Sequence, residues 1–224
     1  MSQPTKDRNV PQRKGQGNFL KQGGILAAAS ILVRFIGMLY RIPMANIIGE
    51  EGNGIYAVAF ELYDMILIIS SYSLPLALSK IISALTVKRQ YINIGKTFRL
   101  ASVFALLSGG MFGTALFFSA NIIEKMFYDK YEGIHIPLKI LAPTIFIVAF
   151  LGVFRGFFQG KKTMIPTAVS QILEQIINAV TSILCAYIFV GLYKDTVYKH
   201  AWGAAGGTAG TCLGAFVALL FMLF

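Results

Sequence analysis

The sequence predicts an all-α membrane protein of about six transmembrane helices, and three observations carry that reading. First, 56% of its 224 residues are hydrophobic and only 13% are charged, whereas ordinary soluble domains carry about a quarter charged residues. A single water-facing globule would lack polar surface. Second, the apolar residues fall in blocks of about twenty, the length that crosses roughly 30 Å of hydrocarbon. Third, the basic residues collect between those blocks and favour one side, as the positive-inside rule requires.

Residues 1–22 hold Lys6, Arg8, Arg13, Lys14 and Lys21 among Pro, Gln and Gly. No core can form there, and the stretch reads as a disordered basic cytosolic tail. The apolar run that follows extends to Ile48 and contains Arg34 and Arg41, too long and too polar for a cleavable leader. It is the first of the spans expected at 23–48, 54–79, 97–119, 138–158, 164–191 and 202–224. In the third, Gly109 and Gly113 stand four apart, and in the sixth Gly203/Gly207 and Gly206/Gly210/Gly214 do the same. Such rows let helix backbones approach closely in lipid. The sequence stops inside the apolar run Leu219–Phe224. Because many transporters consist of two related halves, residues 23–224 read as a six-helix lobe whose C-terminal partner lobe is missing.

Connector charge orients the bundle. The tail, the 80–99 segment (Lys80, Lys88, Arg89, Lys96, Arg99) and the 159–163 turn (Lys161, Lys162) hold twelve Lys/Arg, and the opposite connectors five, mixed with Glu50, Glu51, Glu124, Asp129, Glu132 and Asp195. Both termini are therefore expected in the cytosol of a bacterial-type plasma membrane. Tyr193, Tyr198 and Trp202 fit an outer aromatic belt. The net charge of +10 lies between spans, not on a soluble surface with stacking aromatics, so nucleic acid is not an expected partner.

A charge at mid-bilayer costs about 2.5–3.5 kcal/mol on insertion scales, so each one retained needs a partner or a wet cavity. Arg34 and Arg41 lie in the first span, Glu61 and Asp64 in the second, Arg155 near the cytosolic end of the fourth and Glu174 in the fifth. Seven residues make close to two helical turns, which places Arg34 and Arg41 on one face, roughly 10 Å apart. Glu61 and Asp64 share a face, and Thr167, Gln171, Glu174, Gln175, Asn178 and Ser182 form a polar stripe. Three helices are thus expected to line a polar cavity, with Arg34 and Arg41 as anion-binding residues and Glu61, Asp64, Gln171, Glu174, Gln175 and Asn178 lining it. Arg155 is a further candidate, although it can instead snorkel to the interface. The guanidinium group suits phosphate because it donates two parallel hydrogen bonds and stays charged. The alternative is packing: Arg34 and Arg41 pair with Glu61 and Asp64 and bind nothing.

Enzyme chemistry finds no support. His135 and His200 stand in outer loops without carboxylate or cysteine spacing, and no Ser/His/Asp, Walker or HExxH pattern occurs. Cys185 and Cys212 sit in apolar segments without metal-ligand spacing and read as buried apolar residues. No catalytic residue, metal or cofactor is expected. Gly49–Gly54 reads as a tight turn between spans. Pro43, Pro75, Pro143 and Pro166 can break helices and free carbonyls toward a cavity.

The runs Arg34-Phe-Ile-Gly37-Met-Leu-Tyr40-Arg41-Ile-Pro43, Gly49-Glu-Glu-Gly52-Asn-Gly54-Ile-Tyr56 and Leu74-Pro75-Leu-Ala-Leu-Ser79-Lys80 resemble the stage V sporulation protein B branch of polysaccharide-biosynthesis flippases. Arg155-Gly156-Phe-Phe158-Gln159-Gly160, followed by Pro166 to Gln171 and Glu174-Gln175, resembles the same family's fourth-to-fifth-span signature. The resemblance implies the multidrug/oligosaccharidyl-lipid/polysaccharide exporter fold, which includes the lipid II flippases, and a chain equivalent to its N-terminal lobe. It implies outward movement of an undecaprenyl-pyrophosphate-linked oligosaccharide by alternating access, for peptidoglycan, spore cortex or surface polysaccharide, with the pyrophosphate held by Arg34 and Arg41. A basic residue expected in the second span of lipid II flippases has no counterpart, since Ile66 to Ile69 is apolar. A multidrug/cation antiporter of the same fold, which would favour the acids Glu61, Asp64 and Glu174, is the rival. A truncated, non-transporting membrane scaffold is a third reading.

Overall fold

The computed structural model describes the backbone of residues 13–127 and 132–224 and the side chains of 22–126 and 132–224. Among these residues there are helices and short turns only: α1 (Arg13–Ser70), α2 (Leu74–Val87), α3 (Tyr91–Phe127), α4 (His135–Gly160), α5 (Ile165–Leu192) and α6 (Lys199–Leu223). Five helical stretches are long and apolar enough to cross a membrane, with α1 and α2 counted together as Gln22–Val87. Large apolar side chains stand exposed around the bundle, Ile69, Phe118 and Tyr187 each more than 70%. Lipid, not water, suits such a surface.

The 58-residue α1 would be nearly 90 Å long if straight, about three times the hydrocarbon thickness. It is divided at Gly49, whose φ of 74° and ψ of −178° lie outside helical space, in a region open essentially to glycine alone. The break is a single residue. Residues 50–54, expected as a turn, are helical and begin the second arm, while Asn53 Nδ2 donates to the carbonyls of Gly49 (3.0 Å) and Ala45 (3.2 Å). A residue that reads as part of a loop therefore ties the two arms together.

The second expected span, 54–79, is interrupted at residues 71–73, directly before Pro75. The amides of Ser71 and Tyr72 both donate to Leu67 O, at 2.9 and 3.1 Å. Pro75, without an amide proton, fits at the start of α2. Pro166 likewise sits in the first turn of α5, but Pro43 lies inside the first arm of α1 and Pro143 inside α4, with no break at either. Neither of those two opens the chain. The 80–99 segment, expected as a connector, is mostly helix, with α2 running to Val87 and α3 starting at Tyr91. Helix α1 starts at Arg13, so the expected disordered tail does not extend over 13–22; residues 1–12 lie outside the described residues.

Small residues set the packing. A β-carbon on Gly210 would lie 2.5 Å from Ser182 N, and one on Gly214 2.6 Å from Glu174 O, so this row of α6 lies against the backbone of α5. The row Gly203/Gly207 faces Ile48, Met44 and Tyr56 of α1, and Gly109/Gly113 faces Ala142, Phe146 and Ala149 of α4. A third row, Gly152/Gly156/Gly160 of α4, receives Pro75, Ser79 and Ile82 of α2. Two of the motifs that carried the resemblance, Leu74–Lys80 and Arg155–Gly160, are thus each other's packing surfaces.

Contacts also define two ends. At one, Met164 N donates to Gln22 Oε1 (3.1 Å), beside the α4–α5 turn and the α2–α4 seam. At the other, His200 stands by Ile48 O and Glu51, and Tyr193 stacks on Trp202 with ring centres 4.2 Å apart.

Candidate functional site

The two arms of α1 diverge from Gly49 and enclose an open groove of about 600 Å³. Arg41, Met44 and Ala45 of the first arm form one wall. The other carries Asn53, Ala57, Phe60, Glu61, Asp64 and Ile68, which recur at helical spacing along the second arm. Arg41, Glu61 and Asp64 are all exposed toward it. Among the described residues the ion pairs within 4 Å are His135–Glu124, Arg155–Glu174 and His200–Glu51, so Arg41 is paired with neither acid. The groove therefore gathers a cation and two carboxylates at the depth of a membrane span without neutralising them by contact. Mid-membrane charges of this kind require water or a ligand around them.

Arg34 is exposed on the same helix but does not line this groove. It lies at the height of the α5 polar stripe: a β-carbon on Gly37, three residues on, would meet Gln175 Nε2 at 3.2 Å. The stripe itself splits. Asn178 and Ser182 are buried in the α5–α6 seam, where Ser182 Oγ lies 2.9 Å from Asn178 Oδ1 and 2.8 Å from Gly207 O, and Thr211 Oγ1 donates to Asn178 Oδ1 at 3.4 Å. Gln171 keeps its side-chain oxygen buried without a hydrogen-bond partner. None of Gln171, Glu174, Gln175 and Asn178 lines the Arg41 groove. A polar stripe on a helix marks only that the face avoids lipid, and a neighbouring helix satisfies that as well as a cavity does.

Arg155 does not snorkel. Its guanidinium donates to Glu174 Oε2 at 2.6 Å and to Ser170 Oγ at 3.0 Å, with both charged side chains largely covered. Helices α4 and α5 share little other packed surface, so this clamp is their main polar tie. The two histidines have carboxylate partners after all: His135 Nδ1 contacts Glu124 Oε2, and His200 Nε2 lies 3.4 Å from Glu51 Oε2. Those glutamates come from other helices, and spacing along the chain could not reveal them. Cys185 and Cys212 are free and partly exposed instead of buried.

Asn53, Tyr56 and Phe60 are groove residues that sequence reasoning missed. Tyr56 also keeps its hydroxyl buried without a partner. The signal was present, since 53, 57, 60, 61, 64 and 68 form one helical stripe, but treating 49–54 as a loop cut it short.

Three relatives from Bacillus subtilis (strain 168) bear on these residues. Stage V sporulation protein B is 31% identical over 208 residues, covering 91% of this chain and 38% of that protein. The uncharacterized membrane protein YabM is 24% identical over 200 residues, 89% of this chain and 36% of its own length. Lipid II flippase MurJ is 25% identical over 177 residues, 76% of this chain and 32% of its own. The chain spans about a third of the length of the curated relatives it matches. No solved structure matches it. The family model described as polysaccharide biosynthesis protein matches residues 19–223, both arms of α1 and the Arg155–Glu174 clamp included; the chain belongs to the polysaccharide biosynthesis protein family.

Proposed function

We propose that this chain forms one lobe of a carrier that moves a lipid-linked oligosaccharide, of the undecaprenyl-pyrophosphate or lipid II type, across the plasma membrane by alternating access and without covalent chemistry. The observation that carries the reading is Arg41, in no ion pair among the described residues, on an open groove within the membrane-spanning region. A guanidinium held there offers two parallel donors to a pyrophosphate oxygen pair. Arg34 extends the same helix face by two turns and would receive the second phosphate or the first sugar as the carrier rocks. The relatives named for lipid II flipping and for sporulation support a substrate built for peptidoglycan or spore cortex. The opposing wall of the cavity would be a C-terminal lobe, since alternating access requires one repeat to move against another.

The test is flipping of a fluorescent lipid-linked pyrophosphate sugar in liposomes containing the protein together with its second lobe. Loss of transport in Arg41→Ala with normal insertion is the expected outcome; transport at the unaltered rate would refute the assignment. Glu61 and Asp64 in the same groove favour a second reading, a multidrug/cation antiporter. Under it, Asp64→Asn abolishes efflux of a cationic dye and Arg41→Ala does not.

The orientation proposed has both termini in the cytosol. The end carrying Lys161 and Lys162 faces inward, and the end with Glu50, Glu51, Glu124 and Glu132 faces outward. A membrane-impermeant thiol reagent should label a cysteine placed at Glu51 and spare one at Lys161; the reverse pattern would invert the assignment.

A further inference from the structure

Beyond the transport groove, a second concave surface of about 520 Å³ lies on the first turns of α3, lined by Ile92, Gly95, Lys96, Arg99, Leu100 and Val103. We propose that it is a docking site for an anionic phospholipid of the leaflet at this end of the bundle. The phosphate would sit between Lys96 and Arg99, and an acyl chain along Leu100 and Val103.

Four observations carry this. Lys96, Arg99, Leu100 and Val103 follow one another at helical spacing, so the cations and the apolar side chains form one continuous stripe, roughly 10 Å from Lys96 to Val103. Gly95 opens it, since nothing lies within 4 Å of the position its β-carbon would take. The apolar members are bare, Leu100 being 72% and Ile92 78% exposed. Last, among the described residues neither cation has a carboxylate within 4 Å, and the sequence contains no Asp or Glu between Met65 and Ile123, although it has Lys80, Lys88, Arg89, Lys96 and Arg99 there.

The geometry of α3 fits the same ligand. Its 37 residues extend about 55 Å, some 25 Å more than the hydrocarbon layer is thick. That excess lets its first turns reach the headgroup region, with Lys96 and Arg99 on the outer side of Leu100 and Val103 and Ile92 one turn further out. A soluble acidic partner would use the cations and leave Leu100 and Val103 uncovered, whereas a phospholipid uses both.

The test uses the full chain in bilayers of phosphatidylcholine containing spin-labelled phosphatidylglycerol or spin-labelled phosphatidylcholine, and measures the motionally restricted fraction of each. The unaltered protein should restrict phosphatidylglycerol preferentially, and Lys96→Gln with Arg99→Gln should lower that preference by about 5-fold per cation removed. Lys194→Gln with Lys199→Gln, at the opposite end, should leave it unchanged, as should the charge-preserving Lys96→Arg with Arg99→Lys. If the Gln variant fails to insert, high salt on the unaltered chain must weaken the preference instead. Equal restriction of both lipids, or a preference that survives both the Gln variant and high salt, would overturn the proposal. So would displacement of the labelled phosphatidylglycerol by a lipid-linked pyrophosphate, which would assign the surface to the transported substrate.

Discussion

The Arg155–Glu174 clamp and the Arg41 groove face the same problem, a guanidinium within a membrane span, and resolve it in opposite ways. Arg155 is closed off by a carboxylate at 2.6 Å and a hydroxyl at 3.0 Å, so it has little left to offer a ligand. Arg41 has two carboxylates on the facing wall and touches neither. The difference traces to what moves the helices apart. Helices α4 and α5 are bridged by the clamp, whereas the arms of α1 part at Gly49, whose backbone few other residues can adopt. A satisfied charge in a membrane holds structure together, and an unsatisfied one keeps its binding capacity.

That contrast can be broken by mutation. Glu174→Ala leaves Arg155 covered and unpaired, and should lower stability by about 3–5 kcal/mol, read as a drop in thermal midpoint in detergent. Replacing both partners, Arg155→Met with Glu174→Leu, should recover most of the loss. Arg41→Ala, by contrast, should change stability by under about 1 kcal/mol, because Arg41 is exposed and no ion pair is lost. Equal losses in the two single variants would remove the distinction between the loci.

The reverse pattern is expected for ligand. One charge-assisted hydrogen-bonding group is worth about 1.5–3 kcal/mol, so Arg41→Ala should weaken binding of a pyrophosphate lipid by roughly 10- to 100-fold. Arg41→Lys should restore only part, since the charge returns without the two-pronged geometry. If instead Arg41→Ala with Asp64→Ala regained full transport, the arginine would be only a neutralising partner of the acid.

Smaller effects sharpen the comparison. Gly49→Ala forces a side chain into a backbone region that costs about 1–3 kcal/mol, and the strain should be relieved by changing the angle between the arms. The distance between spin labels at Met38 and Ile68, both exposed, reports it; an unchanged distance together with unchanged stability would show that Gly49 is not the hinge. Ser170→Ala removes the second acceptor of Arg155, together with the bond the hydroxyl donates to Thr167 O at 2.8 Å, and should cost about 1–2 kcal/mol, with Glu174 still in place. A loss as large as that of Glu174→Ala would mean that the hydroxyl, not the carboxylate, holds the clamp.

The sequence by itself determined that this is a multi-helix membrane protein, because hydrocarbon imposes one length and one composition on every span and leaves both visible in the chain. The glycine rows of α3 and α6 were legible for the same reason, as a period-four pattern needs no partner to be seen. It also located the intramembrane charges, Arg34, Arg41, Glu61, Asp64, Arg155 and Glu174, since a charge in an apolar run stands out wherever it faces. Which charge meets which was decided by the tertiary structure. Arg155 and Glu174 are 19 residues apart in sequence and meet across two helices, while Arg41 and Asp64 share a groove without pairing. Likewise Asn178 turned toward α6 and not toward a cavity, because Gly207 and Gly210 bring that helix close enough to place a carbonyl against Ser182. A polar residue in a span announces only that it cannot face lipid; the choice between a neighbour and an open groove depends on how closely the helices pack, and the chain brings those residues together only when it folds.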